Sequence, residues 1–209
     1  MKQRGILTVV SGFSGVGKGT MVAELLKKYP QQYAVSVSAT TRAPRVGERD
    51  GVHYFFLTDE KFQEMIAEDQ LLEYAGYVSK YYGTPKEYVM NKLDQGIHVI
   101  LEIEIQGAMK IKEQFPDTLM VFIIPPSAAI LRERLEGRGT ETAEVIEARL
   151  RRAAEEAEGM DAYEYVITND VLAESVEELH RLIQSNSNAT FRNLTKIQNM
   201  KEEIQNFAK

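Results

Sequence analysis

The sequence predicts an α/β fold in which a parallel β-sheet lies between layers of helices. The first observation is that apolar, β-prone runs alternate with amphipathic stretches, the runs being residues 6–10, 97–105, 118–124 and 163–168. The second is that the first run leads directly into a glycine-rich loop followed by a helical pattern. The third is that 209 residues, 44% of them hydrophobic, suffice for one globular domain with a sizeable core.

The glycine-rich loop reads GFSGVGKGT from residue 12 to residue 20. Its glycines let the backbone turn its N–H groups inward, and together with the start of a helix they form an anion site. The match to the P-loop pattern G-x-x-x-x-G-K-[ST] ends at Lys18, because Gly19 occupies the hydroxyl position. We therefore assign the magnesium-binding hydroxyl to Thr20. A turn that binds nothing is the alternative, and the strand, lysine and helix around the loop disfavour it.

Composition limits the partners and the compartment. The formal net charge is −6, so the chain has no overall basic field that would hold nucleic acid or an anionic membrane. It has no cysteine, which excludes disulfides and zinc-thiolate sites. The apolar run near the start is too short for a signal sequence or a membrane span, so we expect a cytoplasmic protein with no membrane partner.

The chain between the P-loop helix and residue 96 reads as an insertion beside the main sheet. We predict these elements in order: strands at 33–41 and 53–57, a helix capped by Thr58 or Asp59, extended structure at 71–82, and a helix from Thr84-Pro85 to Gly96.

The second half returns to alternating strands and helices. We predict, in order, a strand at 97–105, a helix from Gly107 toward Phe115, a strand at 118–124, a helix capped by Ser127, a polar turn at 136–142, a helix at 143–158, a strand at 163–168 and a helix through Ile183. The histidines form no spaced set, and His98 lies in an apolar strand, which predicts a core or hydrogen-bonded histidine and not a catalyst.

The last twenty residues or so carry apolar side chains three or four positions apart: Phe191, Leu194, Ile197, Met200, Ile204 and Phe207. This spacing predicts a helix with one apolar stripe. We expect the stripe to pack on its own domain, with an interface to a partner as the alternative. The sequence does not fix the oligomeric state.

Arginines form two groups along the chain: Arg42, Arg45 and Arg49, then Arg134, Arg138 and Arg149. A guanidinium binds phosphate through two hydrogen bonds, so two groups suit phosphoryl transfer between two nucleotides. Solvated surface charge is the alternative. It does not explain Arg42 and Arg45, which lie in a loop rich in turn residues and on no helical face.

Five motifs, in this order, resemble those of guanylate kinases: VSATTRAPRVGERDGVHYFF, YYGTP, EIQGA, RLEGRGTET and VITND. The resemblance covers residues 5–185. It implies a P-loop NTPase fold whose parallel sheet carries a small α/β nucleotide-binding insertion and a helical lid. It also implies transfer of the γ-phosphoryl group of ATP to GMP, with Mg²⁺ bound alongside ATP and with dGMP left open as a substrate.

The resemblance divides the single domain, residues 1–209, into four parts: a core at 1–37, 97–135 and 160–187, a GMP-binding subdomain at 38–96, a lid at 136–158 and an extension at 188–209. It implies these catalytic residues: Lys18, Arg134, Arg138 and Arg149. ATP would contact Gly12, Ser14, Gly15, Val16, Gly17, Lys18, Gly19, Thr20 and Asn169. GMP would contact Ser38, Arg42, Arg45, Tyr54, Glu73, Tyr82, Thr84 and Glu104.

The chemistry of guanine supports the assignment of Glu73. Guanine presents a ring N–H beside an exocyclic amine, and one carboxylate can accept from both. An ordinary surface acid on an edge strand is the alternative for Glu73. Glu104 stands where the family more often has aspartate, and the extra methylene moves its carboxylate by about 1.5 Å.

Two other functions remain open at this point. A catalytically inactive guanylate-kinase-like module could bind a phosphorylated protein with the same arginine loop, but such modules typically lose the P-loop, which is present here. A kinase for another nucleoside monophosphate could share the fold, and Glu73 and Thr84 argue against it.

Overall fold

The computed structural model describes residues 3–77, 79–137 and 142–208. The strands are β1 (Leu7–Gly12), β2 (Tyr33–Val35), β3 (Ala39–Thr40), β4 (Phe55–Phe56), β5 (Leu71–Tyr77), β6 (Lys80–Pro85), β7 (His98–Leu101), β8 (Leu119–Ile124) and β9 (Tyr165–Thr168). The helices are α1 (Lys18–Lys28), α2 (Asp59–Ala67), α3 (Lys86–Asp94), α4 (Ile105–Gln114), α5 (Ala128–Glu136), α6 (Ala143–Ala157), α7 (Leu172–Ser187) and α8 (Leu194–Phe207). Short 3₁₀ turns lie at Met160–Ala162 and Thr190–Asn193.

The larger sheet has the strand order β2-β7-β1-β8-β9, and every pairing in it is parallel. This confirms the predicted α/β class. The central strands β1 and β8 are buried on both faces, as their unbroken apolar runs predict. Because parallel strands end at the same edge, the loop after β1 and residues 102–104 after β7 meet at one end of the sheet.

The smaller sheet has the order β4-β3-β6-β5 and lies within the predicted insertion. It mixes parallel and antiparallel pairings. Its separate core is small: Phe62 of α2 packs with Ala39 and Leu71, and all three are buried. Thr58 caps α2, its hydroxyl accepting a hydrogen bond from the backbone of Lys61, which decides between the two predicted caps.

Two predicted strands were wrong in extent. Residues 33–41 form two short strands, because β2 pairs with β7 in the larger sheet whereas β3 pairs with β6 in the smaller one. The strand at 97–105 ends at Leu101, and the carbonyl of Ile103 accepts a hydrogen bond of 2.7 Å from the Ser11 hydroxyl. Helix α4 therefore begins at Ile105 and not at Gly107.

The expectation that the C-terminal helix packs on its own domain was wrong. Helix α8 has no buried residue, and Leu194 and Phe207 are 60% and 95% exposed. The spacing of apolar residues defines which face of a helix is apolar, but it does not say what covers that face. No helix in the described ranges is both long enough and apolar enough to cross a membrane.

Candidate active site

A cleft of about 560 Å³ opens at the carboxyl edge of the larger sheet. The P-loop, the start of α4, α6 and the smaller sheet contribute residues to its walls. The predicted site residues that line it are Gly12, Ser14, Lys18, Ser38, Tyr54, Tyr82 and Glu104. One cavity therefore joins residues predicted for ATP with residues predicted for GMP.

The loop between β1 and α1 adopts the backbone expected of a phosphate-binding loop. Gly12, Gly15 and Gly17 have φ angles of 149°, 90° and 94°, a region that other residues rarely adopt. A side chain at Gly12 would also place its Cβ 2.4 Å from the carbonyl oxygen of Ile123. Glycine is therefore required at Gly12 by both its conformation and its contacts.

Lys18 begins α1 and folds back over the loop. Its Nζ donates to the carbonyl of Gly12 and, at 3.2 Å, to that of Phe13. Burial lowers the pKa of Lys18, and the carboxylates of Glu156 and Glu102 oppose that shift. The lysine is thus a half-buried cation held by carbonyl oxygens, in a position from which it can turn to the phosphates of a nucleotide.

Three other predicted residues brace the same loop. The side-chain amide of Asn169, which is 6% exposed, donates to the carbonyl of Val16 at 2.8 Å. Arg134 on α5 donates to the carbonyl of Asn169 at 2.9 Å. Arg149 on α6 donates to the hydroxyl of Ser14 at 2.7 Å. These contacts place Asn169, Arg134 and Arg149 at the predicted ATP end, whereas Arg138 lies outside the described residues.

The surroundings of Thr20 suit a magnesium ion bound mainly through phosphate. Thr20 is exposed in the first turn of α1. Next to it, a Cβ at Gly19 would lie 3.7 Å from Oε2 of Glu102. Glu102 lines the cleft, where partial desolvation of its carboxyl raises its pKa. The described residues hold no cluster of three metal-binding side chains, and magnesium typically uses one or two protein ligands plus phosphates and water.

The arginine loop is organised by a carboxylate that the sequence did not single out. Glu48 accepts two hydrogen bonds of 2.9 Å from the guanidinium of Arg42 and one of 2.7 Å from the backbone N–H of Arg45. The hydrogen bonds from Arg42 lower the pKa of Glu48 to about 2. Glu48 was not predicted, because a residue in a loop belongs to no helical or strand spacing that would mark its side chain as important.

Aromatic rings surround the same arginine. The guanidinium carbon of Arg42 lies 5.3 Å from the ring centre of Tyr54, and the Tyr54 and Tyr82 rings are 6.0 Å apart. These three predicted phosphate contacts are therefore brought together, with Ser38 in the wall of the same cleft. The side chain of Arg45 is exposed, and its positive charge acts on Tyr54 and Glu48.

The two residues predicted to read the base lie side by side. Glu73 on β5 and Thr84 on β6 are buried, at 8% and 0% exposure, and the Thr84 hydroxyl donates to Oε1 of Glu73 at 2.8 Å. Burial raises the pKa of Glu73, while the Thr84 hydrogen bond and the charge of Lys110 oppose that shift. Oε2 of Glu73 faces Gly107 in the first turn of α4.

Helix α6 adds cleft residues that the sequence reasoning missed. Arg152 and Glu156 line the cleft, and Arg152 contacts the carboxylates of Glu104 and Glu156 at 3.3 Å each. Glu104, predicted for GMP, thus bonds to a helix of the opposite wall. Arg152 follows Arg149 by three positions and precedes Glu156 by four, so helical spacing could have placed all three on one face.

Comparison with known proteins gives a consistent result. The family model described as guanylate kinase matches residues 4–186. The chain is 51% identical over 182 residues to a guanylate kinase of Halalkalibacterium halodurans, covering 87% of this chain and 89% of that one. It is 43% identical over 205 residues to one of Listeria monocytogenes, covering 98% and 100%. The crystal structure of guanylate kinase from Anaplasma phagocytophilum matches with a TM-score of 0.74 and 31% identity, covering 92% and 91%.

Proposed function

Because this chain belongs to the guanylate kinase family and is an ATP:GMP phosphotransferase, we propose that its cleft binds the two nucleotides at opposite ends. The observation that carries the proposal is that Lys18 of the P-loop and the Tyr54–Tyr82 pair line one continuous cavity. A donor phosphate bound at Lys18 and an acceptor phosphate bound at the Tyr54–Tyr82 pair would face each other. The products are ADP and GDP.

The donor end would hold the phosphates of ATP. Backbone N–H groups from Gly12 to Thr20 would surround them, and the ammonium of Lys18 would exchange its carbonyl partners for β- and γ-phosphate oxygens. Asn169 and Arg134 would hold the loop in shape through Val16. Arg149 would move from Ser14 toward the transferring group.

Magnesium fits the donor end as a cofactor that arrives with ATP. The Thr20 hydroxyl would bind it, and Glu102 would hold one of its water molecules, since the described residues offer no larger ligand set. The ion would neutralise phosphate charge. Every other contribution to transfer would come from the positioning and charge of backbone N–H groups and side chains.

The acceptor end would hold GMP. Arg42, Tyr54 and Tyr82 would bind its phosphate, assisted by Ser38 and by the exposed Arg45 after a short movement. Glu73 and Thr84 would read the guanine, and Glu104 would lie between the two nucleotides. The acceptor phosphate is already an anion at neutral pH, so the reaction needs no general base.

Arg138 completes the proposed lid by the family resemblance, together with Arg134 and Arg149. A lid arginine acts mainly in the closed transition state, where it spreads the charge of the transferring group. The comparisons give no support to a non-enzymatic phosphoprotein-binding module or to a kinase for another base. A net charge of −6 supports small molecules and not nucleic acid as its partners, and we propose that the protein is cytoplasmic.

A coupled assay of ADP release tests the proposal. ATP is offered with GMP, dGMP, AMP, UMP or CMP, and kcat/KM is compared across the acceptors. We expect GMP to exceed AMP, UMP and CMP by at least about 10²-fold, because a site built to hydrogen-bond a base rejects analogues that lack the matching groups. Equal rates for all bases, or no ADP release with any, would overturn the proposal.

A further inference from the structure

Gly107 occupies a position in α4 that gives glycine no conformational advantage. It lies in the first turn of the helix, three residues after the N-cap residue Glu104, and its backbone is helical. Gly107 is not among the residues with positive φ. Alanine is a better helix former than glycine, so the backbone alone would favour alanine here.

The space that glycine leaves is filled by the carboxylate of Glu73. A Cβ built on Gly107 would lie 2.9 Å from Oε2 of Glu73 and 3.4 Å from its Cδ. The first of these distances is shorter than a carbon and an oxygen tolerate without a bond, so one of the two groups would have to move. The other neighbour, Cδ1 of Ile103, would lie at an ordinary 3.6 Å.

We infer that Gly107 is a specificity-determining residue of the acceptor end, because its missing side chain sets where the Glu73 carboxylate stands. The inference rests on the proposed role of Glu73 in reading guanine. Thr84 fixes Oε1 from one side, and the surface of α4 at Gly107 limits Oε2 from the other. The carboxylate is therefore held between a hydroxyl and a helix, which fixes its position.

Helix α4 also supplies charge that favours an ionised carboxylate at this point. The first turn of a helix presents backbone N–H groups without helical acceptors, and these favour a nearby anion. Lys110, three positions after Gly107, holds the helix to β5 by donating to the carbonyl of Tyr74 at 2.9 Å. The charge of Lys110 on α4 thus opposes the rise in the pKa of Glu73 that burial causes, and a side chain at position 107 would displace the carboxylate from this place.

The substitution that tests this is Gly107→Ala. The carboxylate of Glu73 is the far end of a flexible side chain. We therefore expect the new methyl group to displace the carboxylate and to leave the backbone in place. We expect the GMP to AMP ratio of kcat/KM to fall by about tenfold or more through a higher KM for GMP. The KM for ATP should stay within about twofold, and the melting temperature should be equal or higher because alanine favours the helix.

Gly159→Ala is a matched control, because its new methyl group would contact Ile105, the first residue of α4, and not the residues around Gly107. Its Cβ would meet the side chain of Ile105 at 3.0 Å, and no contact with Glu73 is formed. We expect this variant to keep the wild-type GMP to AMP ratio. In a Glu73→Ala background, Gly107→Ala should change the ratio no further, because the group that it displaces is gone.

The outcomes separate this inference from the proposed function. A wild type that does not prefer GMP would defeat the base-reading role of Glu73 itself. A wild type that prefers GMP, together with a Gly107→Ala variant whose ratio stays within twofold of it, would overturn only the role of Gly107. A variant that melts lower and loses GMP and AMP activity equally would also overturn it, since the methyl group would then have moved the backbone.

Discussion

The hydroxyl of Thr84 donates a hydrogen bond of 2.8 Å to the carboxylate of Glu73, and both side chains are buried between β5, β6 and α4. A hydroxyl that donates to a buried carboxylate stabilises its charged form and fixes its orientation. The relationship joins two residues eleven positions apart in sequence, on neighbouring antiparallel strands. It fixes the carboxylate that we propose reads the guanine, so that the acceptor is preorganised.

Replacing Thr84 by valine should weaken GMP binding without unfolding the protein. Valine keeps the shape of threonine but removes the donor, so the carboxylate loses a charge-assisted hydrogen bond of about 1.5–3 kcal/mol. We expect the KM for GMP to rise by about 10-fold to 100-fold, with kcat less affected. Thr118→Val is the matched control, because the buried Thr118 hydroxyl has no hydrogen-bond partner among the described residues. A Thr84→Val variant that behaves like the control would show that the pair does not bind GMP.

Lys18→Ala should abolish transfer while leaving the fold intact. The ammonium contacts only loop carbonyls in the described residues, so its loss removes charge stabilisation and little packing. We expect kcat to fall by about 10²-fold or more, with GMP affinity measured by calorimetry nearly unchanged. Lys27→Ala, on the exposed side of the same helix, should keep wild-type activity. A Lys18→Ala variant within tenfold of the wild-type kcat would contradict the assignment.

Much of the site could be predicted because its residues belong to contiguous motifs. The glycine spacing before Lys18 dictates a loop with positive φ, and the structure shows it at Gly12, Gly15 and Gly17. The predicted hydrogen bonding of His98 is also confirmed, since its Nδ1 accepts a hydrogen bond of 3.0 Å from the backbone of Ile6. Both predictions depend on neighbouring residues in the sequence, so they could be made without knowledge of the tertiary contacts.

Contacts between distant segments could not be predicted in the same way. Nothing in the spacing of Glu104 and Arg152 says that they meet across the cleft at 3.3 Å. The strand ends early, at Leu101, and the Ser11 hydroxyl, 92 positions from Ile103, bonds to the Ile103 carbonyl just beyond it. The alternating apolar residues at Ile103 and Ile105 imitate a strand, yet Ile105 begins a helix. Tertiary hydrogen bonds overrode the local pattern there.

His98 gives the stability of the protein a specific dependence on pH. Burial lowers the pKa of His98 to about 4, with the positive charge of Arg192 and His180 in the same direction. The folded pKa lies below the unfolded value of about 6.5, so the unfolded state binds the proton more readily. The contribution of neutral His98 to the free energy of unfolding is fully present above pH 6.5 and is lost as the pH falls toward 4. With allowance for the partly exposed ring, the loss is about 1–2 kcal/mol.

The check is urea unfolding of wild type and His98→Asn between pH 7 and pH 4. Asparagine keeps an acceptor near the position of Nδ1 but does not titrate in this range. We expect the unfolding free energy of the variant to fall less steeply with decreasing pH than that of the wild type. Parallel pH profiles for the two proteins would rule out His98 as the titrating group.

Removing residues 194–209 should leave catalysis unchanged. Helix α8 contributes no buried residue, and the chain before it stays anchored because Arg192 donates to Oδ1 of Asn186 at 2.7 Å. We expect kcat/KM for GMP within about twofold of wild type and a melting temperature within about 2 °C. Light scattering on both proteins would report any change of assembly. Loss of activity in a truncated protein that is still folded would mean that the helix reaches the site.

The most direct test of the account is the GMP to AMP ratio of kcat/KM in wild type and in Glu73→Gln. Glutamine keeps the shape of the side chain but places an amide donor opposite a guanine donor, and the charge-assisted hydrogen bonds are lost. We predict that kcat/KM for GMP falls by about 10²-fold or more. We predict that AMP, whose ring nitrogen accepts and whose amine donates, loses less or gains, so the ratio falls. An unchanged ratio would contradict the account, because Glu73 would then not read the base.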